Sequence, residues 1–280
     1  MTACAALSHL TSVAFIGGGN MASAIIGGLL RQGLPAAAID VVEPFAPARE
    51  RLLADFGIRA LPAADVALER AALVVWAVKP QTFQEAAGQA RPHLNAQALH
   101  LSVAAGIRSD SIARWLGTER VVRSMPNTPA LVGKGMTALF ARDAVAAADR
   151  TQVEAVIATT GQSLWVAAEG QLDAVTALSG SGPAYVFLFL EAMIQAGAEM
   201  GLPREQATQL AIGTFVGASA LAADSSDPPQ LLRERVTSKG GTTYAAITSM
   251  QHDGVPEAFI KAMHAACLRA KELGDEFGAR

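Results

Sequence analysis

The sequence predicts an α/β protein in which a doubly wound parallel sheet is followed by an all-helical domain. Up to about Ala168, short β-rich runs alternate with alanine-rich helical stretches, and several runs are apolar on both faces. Such runs are typical of a parallel sheet that helices cover on either side. After Gly170 the β-rich runs stop and long helical patterns continue to the C-terminus. We therefore expect two domains, 1–169 and 170–280.

Seven runs are predicted as strands, the last of them as a possible edge: Ser12–Gly17, Ile39–Glu43, Leu73–Pro80, Leu99–Ile107, Arg120–Asn127, Gly135–Ala141 and Ser163–Ala167. The predicted helices of the second domain, each bounded by a turn or N-cap cluster, are Asp173–Met200, Arg204–Ala223, Pro229–Thr237, Thr242–Gln251 and Val255–Phe277. These helices carry hydrophobic or small residues on nearly every face, so they must be buried against something. Because this domain is small, we expect a second copy of the chain to supply part of that burial.

Composition favours small-molecule ligands. The chain is 51% hydrophobic and 17% charged, with a net charge of -3 and no run of lysines or arginines, which argues against nucleic acid or an anionic membrane as partner. The cysteines, Cys4 and Cys267, give no disulfide framework, and neither they nor the scattered histidines have metal-ligand spacing. We see no charged segment typical of a signal peptide before Arg31 and no apolar run of membrane-spanning length. These features predict a cytoplasmic protein without a metal.

The stretch "FIGGGNMASA" directly follows the first predicted strand. Gly17, Gly19 and Ala22 satisfy the G-x-G-x-x-G/A spacing of a Rossmann turn inside a βαβ unit. Gly17 permits the tight turn, Gly19 lets the backbone approach a pyrophosphate, and the helix N-terminus offers free N–H groups to the phosphates. An ordinary glycine-rich turn is the alternative, but the strand, helix and second strand around it favour a dinucleotide site.

Two charged residues bear on the cofactor. Glu43 ends the second strand, where an acidic group usually binds the ribose hydroxyls of NAD and repels the phosphate of NADP. Arg49 on the following helix leaves the preference between the two cofactors open, and Glu43 as a plain surface carboxylate is the alternative. Lys79 lies at the carboxyl edge of a strand, where it either reaches a phosphate or is merely solvated.

Six motifs in order resemble the pyrroline-5-carboxylate reductases, which catalyse the last step of proline biosynthesis: "FIGGGNMA", "AVKPQ", "SVAAGI", "RSMPNTPALVGKG", "DAVTALSGSGPAYVF" and "VTSKGGTT". The resemblance implies NADPH or NADH as cofactor, 1-pyrroline-5-carboxylate as substrate, and a helical domain that joins subunits into a homodimer or an assembly of dimers. Together with the glycine turn and Glu43, it predicts as cofactor-binding residues Ile16, Gly17, Gly18, Gly19, Asn20, Met21, Glu43, Ala77, Val78, Lys79, Pro80, Ala104, Ala105 and Gly106. It predicts as substrate-binding residues Ser238, Lys239, Gly240, Gly241, Thr242 and Thr243. Lys239 departs from the family, since many relatives have proline there.

The glycine pair of "VTSKGGTT" interrupts a helical pattern, although Gly costs about 1 kcal/mol relative to Ala inside a helix. A protonated imine is a good hydride acceptor, so its reduction needs orientation more than a strong acid. We expect backbone N–H groups around Ser238–Gly241 to hold the substrate carboxylate and the hydroxyl of Thr243, as catalytic residue, to serve the ring nitrogen. The alternative is an inter-helix turn in which Thr242 or Thr243 caps the next helix.

Other interpretations stay open. "MPNTP" is either a simple turn or a site where Asn127 and Thr128 contact ligand, and Pro183 with Ser181 before it is either a helix start or part of the site. A β-hydroxyacid dehydrogenase-like oxidoreductase is the rival enzyme, disfavoured because the Asp173–Met200 helix has no lysine for alcohol chemistry. A non-catalytic nicotinamide-binding module is the rival from another class.

Overall fold

The computed structural model describes residues 10–278. Residues 1–9 lie outside the described residues. They include Cys4 and the start of the segment considered above for a signal peptide. The chain forms two compact units, the first running to Ser181 and including the end of the last helix from Ala266, and the second comprising Gly182–Ala265. The first unit thus extends past Glu169, and the domain boundary near that residue stays a prediction.

One sheet organises the first unit, with its strands in the order β2-β1-β3-β4-β5-β6-β7. The strands are β1 (Val13–Ile16), β2 (Ile39–Val42), β3 (Leu73–Trp76), β4 (Leu99–Ser102), β5 (Val121–Met125), β6 (Gly135–Ala141) and β7 (Gly161–Trp165). All neighbours are parallel except β5 and β6, which are antiparallel. Strands β3 and β4 are shorter than the apolar runs that predicted them, because the chain leaves the sheet there as loops at its carboxyl edge.

Helices cover both faces of this sheet, as predicted. They are α1 (Asn20–Arg31), α2 (Ala46–Phe56), α3 (Phe83–Ala90), α4 (Ser109–Leu116), α5 (Ala147–Ala158) and α6 (Gln171–Val175). Alternate strand residues enter two separate cores: Phe15 and Val75 pack in the core that contains Ile26 of α1, whereas Trp76 packs in the core that contains Phe83 of α3. This alternation is the physical signature of a sheet buried on both sides.

The second half is helical, with α7 (Gly182–Glu199), α8 (Arg204–Asp224), α9 (Pro229–Arg235), α10 (Thr242–His252) and α11 (Val255–Gly278). The single helix predicted over Asp173–Met200 is instead α6, a π turn over Thr176–Gly180, and α7. The N–H of Ser181 donates to the carbonyl oxygen of Thr176 at 2.8 Å and closes the wider turn. Pro183, which has no N–H to donate, lies in the first turn of α7, where none is needed.

The helical unit exposes much apolar surface. Phe187, Leu188 and Leu210 are 58%, 63% and 59% exposed, respectively. The segment Gln171–Glu199 is long and apolar enough to cross a membrane, contrary to the expectation from the sequence, but the core helices of soluble proteins meet the same criterion. Large apolar side chains left exposed in this way are typical of an interaction surface.

His100 of β4 is buried in the aromatic part of the second core. His100 is only 3% exposed, and its Nδ1 accepts a hydrogen bond from Trp76 Nε1 at 3.1 Å. Because an indole nitrogen only donates, Nδ1 carries no proton and the imidazole is neutral. Burial, and then the positive charge of Arg120, lower the pKa of His100 from 6.5 to about 4. Protonating His100 would therefore oppose folding.

Stability is expected to fall as the pH drops from about 6.5 to about 4, since the unfolded chain binds a proton at His100 over this range and the folded chain does not. The loss reaches about 3 kcal/mol at pH 4, from the difference between the two pKa values. His100→Asn should remove this contribution, so the difference in unfolding free energy between wild type and variant should change by that amount between pH 7 and pH 4. Urea unfolding measures it, with His252→Asn as a control at a side chain that is 87% exposed. Parallel pH profiles for wild type and His100→Asn would contradict the prediction.

Candidate functional site

A cleft of about 500 Å³ opens at the carboxyl edge of the sheet in the first unit. Its walls come from the turn after β1, the end of β2 and the loop after β3, represented by Gly17, Glu43 and Lys79. The strand order reverses between β1 and β3, and open α/β sheets bind ligands outside the carboxyl ends of their strands at such a point. The volume lies within the usual range for cofactor sites.

The first glycine of the turn is required by close packing against backbone, and the second lies against a buried leucine side chain. Gly17 has φ +98, and a Cβ there would lie 2.6 Å from the carbonyl oxygen of Ala77. A Cβ on Gly18 would lie 2.6 Å from Cδ1 of Leu52, and the Gly18 N–H donates to Glu43 Oε2 at 2.8 Å. The role predicted for Gly17 thus has a structural basis. The packing role of Gly18 was missed, because the G-x-G-x-x-G/A spacing leaves its position unspecified.

Gly19 has a different environment. It is the N-cap of α1, and apart from its own chain neighbours no described residue comes within 4 Å of where its Cβ would be. No described side chain caps this helix, so the amides of its first turn are available to an anion. The open space in front of Gly19 and the adjoining helix N-terminus fit a pyrophosphate.

Glu43 is held by the backbone on the wall of the cleft. Its two carboxylate oxygens accept hydrogen bonds from Gly18 N–H and Phe45 N–H, each at 2.8 Å. Arg49 Nη1 donates to the carbonyl oxygens of Glu43 and Pro44 at 2.9 Å and 2.6 Å. The carboxylate is therefore fixed in place, and the arginine is tied to backbone oxygens beside it.

The cleft brings together part of the predicted cofactor set: Ile16, Gly17, Gly19, Glu43, Ala77, Val78 and Lys79. Within residues 10–278, Gly18, Asn20, Met21, Pro80 and the run Ala104–Gly106 are not on its wall. Gly18 lies beneath the turn, whereas Asn20 and Met21 begin α1. Residues 104–106 belong to the loop after the next strand, β4.

Some wall residues have no signal in the sequence. Pro62 and Ala64 reach the cleft because Leu61 pairs beside β2, donating to Val41 O at 2.7 Å and accepting from Glu43 N at 2.8 Å. Thr82 also lines the cleft, from the turn before α3. Pro62 and Ala64 are placed by a pairing between segments distant in sequence, and no local sequence pattern predicts such a pairing.

The side chain of Asn127 connects three backbone segments. Its Nδ2 donates to the carbonyl oxygen and the hydroxyl of Ser179, both at 3.2 Å, and its Oδ1 accepts from Met136 N–H at 2.9 Å. The amide thereby ties the "MPNTP" turn to β6 and to the π turn. This arrangement supports the structural interpretation of Asn127 over ligand contact.

The predicted substrate loop lies in the helical unit. Gly240 has φ +78, and the N–H of Gly241 donates to Ser238 O at 2.9 Å. The expectation that the amides of Ser238–Gly241 face an anion is therefore corrected for Gly241, whose N–H closes the turn. Gly241 is also the N-cap of α10, without a side-chain cap among the described residues, so neither threonine has the capping role of the alternative interpretation.

Helix α10 begins at Thr242, and its first turn leaves the amides of Thr242, Thr243 and Tyr244 without intrahelical acceptors. Thr242 is exposed and Thr243 is half-buried. The loop thus offers amides at the start of a helix next to a hydroxyl. Among residues 10–278, no group of three or more His, Cys, Asp or Glu side chains is placed to hold a metal ion.

Comparisons with known proteins match both halves of the chain. Residues 169–273 match a family described as pyrroline-5-carboxylate reductase dimerisation, and residues 12–106 match one described as NADP oxidoreductase, coenzyme F420-dependent. The chain is 44% identical to the pyrroline-5-carboxylate reductase of Pseudomonas aeruginosa, over 95% of this chain and 98% of that protein. The solved pyrroline-5-carboxylate reductase of Coxiella burnetii has a TM-score of 0.87 and 36% identity, with 95% and 99% of the two chains covered. The Plasmodium falciparum pyrroline carboxylate reductase, solved with NADP bound, has a TM-score of 0.84 and 27% identity, with 95% and 98% covered.

The Rossmann-type sheet and its glycine-bounded cleft define the class of dinucleotide-dependent oxidoreductases. Within that class, the near-full-length identity shows that the chain belongs to the pyrroline-5-carboxylate reductase family. The resemblance carried by the six motifs is confirmed.

Proposed function

We propose that this chain reduces 1-pyrroline-5-carboxylate to L-proline with NADPH or NADH, as the last step of proline biosynthesis in the cytoplasm. The observation that carries the proposal is the 44% identity to a reductase of this name over 95% of the chain. The cofactor domain of the proposal is 1–169, and the substrate-binding and dimerisation domain is 170–280.

The cleft residues fit the dinucleotide. Gly17 and Gly19 bring the backbone to the pyrophosphate, and the first-turn amides of α1 donate to it. Lys79, an exposed residue of the cleft lining, adds positive charge toward a phosphate. When bound, the reduced nicotinamide supplies a hydride to the imine carbon of the substrate.

The substrate offers one carboxylate and one ring nitrogen, so two anchor points orient it. Amides of the Ser238–Thr243 loop other than that of Gly241 bind the carboxylate, helped by the positive end of the α10 dipole. The Thr243 hydroxyl, half-buried one residue into that helix, hydrogen-bonds the ring nitrogen. No strong acid is required of the protein, because the nitrogen of the substrate keeps its proton through the reaction.

Thr243→Val keeps the shape of the side chain but removes its hydroxyl. A lost hydrogen bond to a charged group costs about 1.5–3 kcal/mol, so kcat/KM for pyrroline-5-carboxylate should fall roughly ten- to a hundredfold. Substrate-dependent oxidation of NADPH measures this, and NADPH affinity should not change. Thr248→Val, the same change at an exposed threonine farther along α10, is the matched control. Full efficiency in Thr243→Val would show that the proposed substrate site is wrong.

Glu43 is proposed to favour NADH. Its carboxylate is fixed by two backbone amides and so stays close to the ribose position, where its charge opposes the 2′-phosphate of NADPH. Glu43→Ser and the isosteric Glu43→Gln should both raise kcat/KM for NADPH relative to NADH, by about tenfold for one unfavourable charge contact. Steady-state kinetics with both cofactors give the ratio. A strong wild-type preference for NADPH that neither variant alters would show that Glu43 does not face the ribose.

The enzyme is proposed to be a homodimer or an assembly of dimers, joined through its helical unit. Phe187, Leu188 and Leu210 are exposed there, in the region that matches the dimerisation family. Sedimentation velocity at assay concentrations, without detergent, should give a species of at least two chains. An active monomer would contradict the proposal, and a protein that stays in solution only with detergent would instead support the membrane interpretation of Gln171–Glu199.

A further inference from the structure

The loop after β4, residues 103–108, borders the same sheet edge as the cofactor cleft, and we call it the β4 loop. Val103 N–H donates to Trp76 O at 3.0 Å, and Ala77 N–H donates to Ile16 O at 2.8 Å, so the ends of β1, β3 and β4 follow one another. Glu43 at the end of β2 is proposed to face the adenosine ribose, so the nicotinamide half of the cofactor extends in the opposite direction, toward β3 and β4. The β4 loop then lies on the nicotinamide side.

The end of α11 packs directly on this loop. Gly106 is buried with φ +73, and a Cβ there would lie 3.2 Å from Cβ of Leu273 and 3.6 Å from a ring carbon of Phe277. Phe277 is 8% exposed and belongs to the same core as Ala104 and Ile107. The last turns of α11 therefore form one wall of the β4 loop.

Polar contacts fix the same arrangement. Arg108 Nη2 pairs with Asp275 Oδ1 at 2.9 Å, and Arg114 Nη2 of α4 donates to Gly278 O at 3.0 Å. Both bonds join the β4 loop or the helix after it to the end of α11. An ion pair and a hydrogen bond therefore hold the end of α11 in place, in addition to apolar packing.

Glu169 holds the other end of the loop. Its carboxylate accepts from the N–H and the hydroxyl of Ser109, the first residue of α4, at 2.6 Å and 2.7 Å. Arg123, with a side chain only 3% exposed, pairs with the same carboxylate at 3.0 Å. Because Glu169 anchors this end of the β4 loop, removing the apolar contacts of α11 should free the middle of the loop and leave its end in place.

We propose that Leu273 and Phe277 are positioning residues that hold the β4 loop against the nicotinamide half of the cofactor. The inference rests on the proposed function for the identity of that ligand. Phe277 lies beyond residues 169–273, the part of the chain that matches the dimerisation family. On this proposal α11 begins in the helical unit and ends as part of the cofactor site.

The test compares two ligands that differ only in the nicotinamide half. Leu273→Ala and Phe277→Ala should weaken binding of NADPH or NADH by about tenfold, since small displacements of positioning groups have effects of this order or larger. Binding of ADP-ribose or its 2′-phosphate, which lack nicotinamide, should not change. Isothermal titration measures each dissociation constant. Lys271→Ala, an exposed position on the same helix, is the matched control and should alter neither ligand.

Milder variants guard against loss of folding. Leu273→Met and Phe277→Leu keep most of the side-chain volume, and they should show a smaller loss confined to the same ligands. An equal loss for the dinucleotides and for ADP-ribose, or no loss for either, would overturn the proposal. Selective loss of dinucleotide affinity supports it even if pyrroline-5-carboxylate is not turned over, a result that would sink only the proposed function.

Discussion

The approach of the Gly17 turn to the carbonyl oxygen of Ala77 is the contact on which the cofactor cleft depends. Any Cβ at Gly17 would lie 2.6 Å from that oxygen, and φ of +98 is itself a conformation that favours glycine. Because glycine satisfies both conditions, the ends of β1 and β3 meet where the strand order reverses, and the chain turns directly into α1. The start of that helix, the fixed carboxylate of Glu43 and the open space at Gly19 all follow from this turn.

Both proposed binding sites are built mainly from backbone groups. In the cleft, the start of α1 supplies amides, and in the helical unit the turn closed by Gly241 N–H leads to the start of α10. Reduction of a protonated imine suits such sites, because it depends on orientation more than on an acid or base. A search guided by perturbed pKa values would have led elsewhere, since His100, with its pKa lowered to about 4, lies in the core of the sheet.

Elements with a clear period were predictable from the sequence. The prediction of Arg204–Ala223 agrees with α8 (Arg204–Asp224), and the apolar runs located every described strand, because burial on one or both faces imposes a local pattern. Pairing direction was not predictable: β6 is antiparallel to β5, although it is a buried apolar run like the strands that pair in parallel. The π turn at Thr176–Gly180 also escaped prediction, because one extra residue in a turn hardly changes a helical pattern.

The last helix shows why a change of pattern along the chain does not define a structural unit. Its periodicity indicates a helix that belongs to the second domain, yet its residues from Ala266 onward belong to the first unit. Leu273 and Phe277, four residues apart, place apolar side chains against the β4 loop, and periodicity alone does not say which core such a stripe enters. A cut at Glu169 would therefore remove part of the first unit, since the sheet obtains one wall of its β4 loop from the far end of the chain. The two predicted domains differ in pattern, but the first is completed only by the last turns of the second.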